Sequence, residues 1–189
     1  MCAIRRRISE INMENAKKQN LLAPVIVLVA ICFVASALLA GAYQLTAPVI
    51  ADRQAEAANE ARSAVLPDVE KFTKYDGELV SGVLDAYTAE GKGGPAGLVC
   101  QTSFNGFKGA VKLMIGVDAE GKITGIQVME HDETPGVGSN ALTDDYLGQF
   151  ARQTGADGID AYSGATFTSK AVKNGINAAI AQYNAVFGK

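Results

Sequence analysis

Residues 98–129 read LVCQTSFNGFKGAVKLMIGVDAEGKITGIQVM, and this stretch decides the fold. Three runs within it, 98–103, 111–117 and 123–129, are short, apolar and bounded by turn signals, which is the pattern of strands. Asp118-Ala119-Glu120-Gly121 separates the last two and suits a hairpin turn, with Gly121 supplying positive φ. Asn105-Gly106 punctuates the preceding join. Further upstream Gly91-Lys92-Gly93-Gly94-Pro95 follows another run of strand character, 79–84. The region is predicted to be a curved antiparallel sheet.

Downstream the period changes from two to 3.6. Leu142, Tyr146, Leu147 and Phe150 are spaced for one face of a helix over 139–152. Val172, Ile176, Ala179, Ile180 and Tyr183 form a stripe on a second helix over 166–187, with Lys170, Lys173 and Asn177 outside it. Each helix is expected to lay its apolar face on the sheet. Strands followed by helices indicate an α+β domain.

Upstream of the sheet lies a different kind of segment. Residues 21–45, LLAPVIVLVAICFVASALLAGAYQL, contain no charge. As a helix they extend about 37 Å, enough to cross a hydrocarbon layer of roughly 30 Å with some tilt. Pro24 falls in the first turn, where a missing N–H costs little. Ala40-Gly41-Ala42 resembles a signal-peptide cleavage site, but the apolar run before it is longer than the roughly 7–15 residues of a secretory signal, so a retained anchor is expected. Arg5, Arg6, Arg7, Lys17 and Lys18 in residues 1–20 face only Glu10 and Glu14, which by the positive-inside rule puts the N-terminus in the cytoplasm.

The expected organisation is therefore a cytoplasmic tail 1–20, a transmembrane helix 21–45, a helical stalk 46–70 and an extracytoplasmic domain 71–189 of a single-pass protein of the cell inner or plasma membrane. The stalk rests on the Ala-, Glu-, Asn- and Arg-rich run that ends at Pro67. Residues 51–189 hold 12 of the 17 Lys and Arg but 18 of the 20 Asp and Glu. So acidic a domain is a poor partner for nucleic acid, where clustered cations are needed; membrane lipid around the apolar helix is the expected contact instead.

Cysteine usage narrows the redox options. Cys2 lies in the tail, Cys32 in the apolar span and Cys100 alone in the outer domain, so no intradomain disulfide, Cys-x-x-Cys, haem-attachment or iron–sulfur spacing exists in this chain. Cys100 reads as a small buried hydrophobe. His131 is the single histidine, which removes His-based triads and multi-His metal sites. The acid pairs Asp132-Glu133 and Asp144-Asp145 read as solvated carboxylates rather than a hydrolase or calcium site. No catalytic residue and no metal ligand is assigned.

Asp160-Ala161-Tyr162-Ser163-Gly164-Ala165-Thr166 stands immediately before the last helix. Small residues at Ser163, Gly164 and Ala165 permit close approach of backbone, and the unpaired N–H groups of a helix start favour a phosphate. Ser163 or Thr166 as a plain helix cap, with Gly164 a turn residue, explains the same residues. Local physics does not separate a phosphate held by hydrogen bonds from one joined to the threonine oxygen.

Asp160-x-x-Ser163-Gly164-Ala165-Thr166 resembles the flavinylation motif of the FMN-binding domain family of bacterial respiratory complexes, and within it the family of Rnf-complex G subunits. A second loop, His131-Asp132-Glu133-Thr134-Pro135-Gly136-Val137-Gly138, resembles that family's Glu-Thr-Pro-Gly-x-Gly signature near the flavin. Pro135-Gly136 suits the centre of a type II turn, and Gly138 permits close backbone approach to a flat ring.

The resemblance runs from the apolar span to the C-terminus. It implies FMN covalently linked by a phosphoester to Thr166, attached by a separate flavin transferase that recognises Asp160 and Ser163, with Gly164, Ala165, Glu133, Thr134, Gly136 and Gly138 around the cofactor. It also implies an electron-relaying subunit of a ferredoxin:NAD oxidoreductase that moves ions across the membrane, partnered by the A, B, C, D and E subunits of Rnf, with no catalytic site of its own. The C component of the sodium-pumping NADH:quinone reductase (Nqr) carries the same motif on a longer domain. A membrane-tethered module binding a phosphorylated ligand without redox chemistry is the reading from another class.

Overall fold

The computed structural model describes residues 22–188; the expected tail 1–20 and Leu21 lie outside the described residues. The elements are a long helix α1 (Leu22–Val65), strands β1 (Lys71–Lys74), β2 (Val83–Gly91), β3 (Gly94–Asn105), β4 (Ala110–Asp118) and β5 (Ile123–His131), a short helix α2 (Asp144–Leu147) between two 3-10 turns, Gly138–Leu142 and Gly148–Phe150, and a last helix α3 (Thr166–Phe187). The chain divides into two units, residues 1–54 and 55–189.

In the first unit α1 presents Phe33, Leu38, Leu39 and Leu45 as exposed side chains. A helix this apolar and this uncovered is long enough to cross a membrane.

In the second unit the five strands form one antiparallel sheet in the order β1-β2-β3-β4-β5. The hairpin between β4 and β5 forms as its sequence predicts. The Asp118 carboxylate accepts the N–H groups of Glu120 and Lys122 at 2.9 Å each, and Gly121 takes φ +83°. Along β4, Leu113, Ile115 and Val117 face one side while Met114 faces the other, the period-two alternation of a strand.

Both faces of the central strands are covered. On one, α3 brings Val172, Ile176, Ala179 and Tyr183 onto Leu98, Cys100, Leu113 and Ile115, and Leu142, Tyr146, Leu147 and Phe150 complete that core. On the other, the last turns of α1 set Ala61 and Val65, with Leu66 just beyond, against Ala89, Val99 and Met114. That second seat is cut in glycine. Gly116 and Gly125 are paired across β4 and β5, and a Cβ at Gly116 would collide with the carbonyl oxygen of Val65. The same carbonyl accepts the Thr124 hydroxyl.

Several sequence expectations are corrected. The run 79–84 is mostly a turn: Gly82 takes φ +88°, the Val83 N–H returns to the Val80 carbonyl, and the strand begins at Val83. The helix expected over 139–152 is three short pieces, because Thr143 is extended (φ −77°, ψ 151°), although its apolar residues point inward as the spacing demands. Helix α1 ends at Val65, so 66–70 is not helical. The short edge strand β1 was not foreseen in its Lys-bearing sequence KFTK.

Helix α3 has the expected limits. It stops where Gly188 takes the left-handed conformation (φ 68°) and returns its N–H to Asn184.

Candidate functional site

The segment 160–166 is fastened to the start of α3 from both sides. The Ala165 N–H returns to the Tyr162 carbonyl at 3.0 Å around Gly164, whose φ of +81° is what the third position of a type II turn requires of a glycine. The Tyr162 N–H donates to the Ser169 hydroxyl at 2.9 Å, and that hydroxyl donates to the Ala165 carbonyl at 3.0 Å. The Tyr146 hydroxyl holds the Asp160 carbonyl at 3.1 Å.

This network removes one use of the threonine. The residue in the cap position is Ala165, with no side-chain capping bond, so neither Ser163 nor Thr166 serves as the cap of α3. Thr166 is the first helical residue and is exposed. Its hydroxyl therefore stands at a helix end whose N–H groups carry positive partial charge, with no structural duty as a cap.

Beside Thr166 opens a cavity of about 280 Å³ lined by Phe107, Val137, Gly138, Gly164–Ala165 and Thr166–Thr168. Its rim carries two uncovered aromatic rings, Phe107 at 72% and Phe167 at 65% exposure, with centroids 5.9 Å apart and planes inclined by 48°. Exposed phenyl rings of this kind on an acidic domain mark a surface made to be covered.

The second loop meets the motif at this cavity. Val137 N–H bonds to the Thr134 carbonyl at 3.2 Å across Pro135-Gly136, and Gly136 takes φ +75°, so the expected type II turn is present. Gly138 lines the cavity; Gly136 shapes the turn without lining it. Thr134 is exposed and its carbonyl is used inside the loop. His131, at the end of β5, is exposed and accepts the Glu133 N–H at Nδ1.

Glu133 is not the solvated carboxylate that its loop suggests: it is 4% exposed, and its Oε1 accepts the Phe107 N–H at 2.8 Å and, at 3.4 Å, that of Lys108. It thereby fixes the turn that carries the Phe107 ring. Its Oε2 and the Thr168 hydroxyl are buried with no hydrogen-bond partner among the described residues. A Cβ at Gly138 would overlap Oε2 and come 3.0 Å from the Thr168 oxygen, so any larger residue there must displace the Glu133 carboxylate.

Asp160 and Ser163 are exposed and outside the cavity lining, on the approach to Thr166. Phe107, Val137, Phe167 and Thr168 are site residues that sequence reasoning did not select. Phe167 had a signal, since a phenylalanine one position into α3 lies off the buried stripe. Cys100 takes no part: burial pushes its thiol up to about 12, which keeps it protonated and inert.

Residues 106–181 match the FMN-binding domain family. The matched segment contains the Phe107 turn, both loops and most of α3. Similar proteins include the G subunit of the proton-translocating ferredoxin:NAD(+) oxidoreductase complex of Clostridium ljungdahlii, 32% identical over 83% of this chain and 88% of its own. The G subunit of the ion-translocating oxidoreductase complex of Methanosarcina acetivorans is 34% identical over 82% and 90%. The counterpart from the Na(+)-translocating ferredoxin:NAD(+) oxidoreductase complex of Acetobacterium woodii is 32% identical over 84% and 89%.

Proposed function

Since this chain belongs to the family of G subunits of ion-translocating ferredoxin:NAD oxidoreductase (Rnf) complexes, we propose that it carries FMN as a phosphoester on Thr166 and relays electrons within such a complex. The observation that carries the covalent reading is the Thr166 hydroxyl: exposed, first in its helix, free of capping duty and on the rim of an apolar cavity.

The residues present fit FMN. Helix-start N–H groups suit a phosphate, and the flat walls of Phe107 and Phe167 suit an aromatic ring. A cavity of about 280 Å³ lies just below the usual 300–1,000 Å³ of small-molecule sites, so it takes part of the cofactor and leaves the rest at the mouth. When bound, FMN supplies reversible uptake and release of electrons.

The chain supplies position. Thr166 would hold the phosphate end, and the Phe107 and Phe167 rings would shield the flavin from water. The turn at Gly164 keeps the attachment point proud of the surface, where a flavin transferase reaches it through Asp160 and Ser163. In attachment the Thr166 oxygen bonds to the FMN phosphorus of FAD, the pyrophosphate bond breaks, AMP departs and the hydroxyl proton is lost. A tether holds the flavin at an effective concentration of the order of mM, so a shallow pocket stays filled where free FMN is dilute.

The apolar part of α1 places the subunit at a membrane. The positive flank before it orients residues 1–20 to the cytoplasm and the FMN domain, from the stalk onward, to the opposite side. The A to E subunits of Rnf would hold the ferredoxin, NAD and ion sites. The test is flavin fluorescence on the denatured protein band after co-production with a flavin transferase. A dark band from that preparation refutes covalent attachment.

A further inference from the structure

Glu133 is the buried carboxylate among the described residues, 4% exposed, whereas Asp132 and Asp160 nearby are open to solvent. Its Oε1 is held by the Phe107 and Lys108 N–H groups. Its Oε2 lies against Gly138, which lines the cavity beside Thr166 together with Thr168. The carboxylate thus sits behind the cavity wall, one glycine away from whatever fills it. Neither Oε2 nor the Thr168 hydroxyl has a hydrogen-bond partner among the described residues.

We propose that Glu133 is a positioning residue whose fixed charge lowers the reduction potential of the FMN on Thr166; this rests on the covalent-FMN reading above. The physical argument is electrostatic. An electron passed from a reduced carrier of the complex makes the ring more negative, and a buried anion beside it opposes that gain. No bond to Glu133 forms or breaks. Solvated Asp132 and Asp160 act far more weakly, because water and salt screen them while a buried charge is screened little. The Phe107 and Lys108 N–H groups keep the carboxylate from swinging out to solvent.

Glu133→Gln separates charge from support, since the amide oxygen still accepts from Phe107 and its NH2 can donate to the Thr168 hydroxyl. The experiment is a spectroelectrochemical titration of the full chain in detergent, co-produced with a flavin transferase, for wild type, Glu133→Gln and Asp132→Asn. The one-electron reduction equilibrium of Glu133→Gln should move about tenfold toward the reduced form, a rise of about 59 mV. Asp132→Asn should move it less than about threefold, as expected of a screened surface charge.

Hydrogen exchange at the Phe107 and Lys108 amides, measured on the flavin-free Thr166→Ala chain, checks that the glutamine retains the turn. Should Glu133→Gln not fold, wild type alone decides: a potential that stays nearly constant between about 10 mM and 1 M salt supports a buried charge, and a large salt dependence assigns control to surface acids and overturns the proposal. An unchanged potential in folded, flavinylated Glu133→Gln overturns it equally. A wild-type chain without covalent FMN removes the premise instead, so the two failures are told apart.

Discussion

Gly138→Ala tests the packing of the site without touching the attachment residue. A Cβ there overlaps Glu133 Oε2 and comes within 3.0 Å of both the Glu133 carboxyl carbon and the Thr168 oxygen. Gly138 is buried and its Cβ would point at Glu133 and Thr168, so the new methyl group must displace them. Two costs follow. Overpacking a closed site costs about 1–3 kcal/mol. Pushing Glu133 away strains or breaks its 2.8 Å bond from the Phe107 N–H, a bond to a charged acceptor worth about 1.5–3 kcal/mol. Together they predict a loss of about 3–5 kcal/mol, which for a domain of this size lowers the melting temperature by roughly 10–20 °C.

The chain has no Trp, so the melt is followed by tyrosine fluorescence of the full chain in detergent. Adding Glu133→Ala removes the atoms that clash, and the double variant should lose clearly less than the sum of the two single changes. A Gly138→Ala melt within about 2 °C of wild type, or strict additivity in the double variant, would refute this account of why the position is glycine.

Three further outcomes are expected. Thr166→Ala should abolish the FMN mass increment in intact mass spectrometry while changing stability by less than about 0.5 kcal/mol, because the side chain is exposed and caps nothing; retention of the increment would misplace the attachment site. Gly116→Ala should destabilise the domain by about 1–3 kcal/mol in denaturant titration, since its Cβ meets the Val65 backbone, whereas Gly148→Ala, with open space around it, should be near neutral. Cys100, with its pKa raised from 9.0 to about 12 by burial, should resist alkylation in the folded chain at neutral pH. Because the folded value is the higher one, its contribution to stability is complete below about pH 9 and is lost as pH rises toward 12, visible as a falling alkaline melting temperature.

How legible was all this in the sequence? The period of 3.6 in 166–187 gave α3 to the residue, because Gly188 and the apolar stripe agree with the tertiary structure. The runs around Leu98, Leu113 and Ile123 gave three strands, but their meaning was only half readable. LVC and LMIGV are continuous rather than alternating, the mark of strands buried on both faces. The second cover is the end of α1, well before β3 in the chain, and a local pattern carries no information about so distant a partner.

At the site, the glycines were readable because backbone conformation is a local property: Gly164 and Gly136 both take the positive φ their turns require. The role of Glu133 was not, since a glutamate in a polar loop looks solvated until the Phe107 N–H, brought in from another turn, holds its carboxylate. Polar residues become structural through partners distant in sequence, and single-sequence reasoning sees only neighbours. The helix over 139–152 failed for the opposite reason: Thr143 breaks the backbone while the inward spacing of Tyr146 and Phe150 survives the break.

The glycine seat on the outer face of the sheet grips main chain as well as side chain. Gly116 makes room for the Val65 carbonyl, and Thr124 bonds that same oxygen. Such a lock is strict about where the helix's last carbonyl falls. Point substitutions on the exposed side of the final turns of α1 should therefore be tolerated, while Ala61 and Val65 stay small and apolar. Inserting or deleting one residue between the Ala58 and Val65 contacts would rotate the packed face by about 100° and carry the wrong groups to the sheet. The segment is thus permissive to replacement on its exposed side and intolerant of changes in length, the reverse of what is expected of a flexible linker.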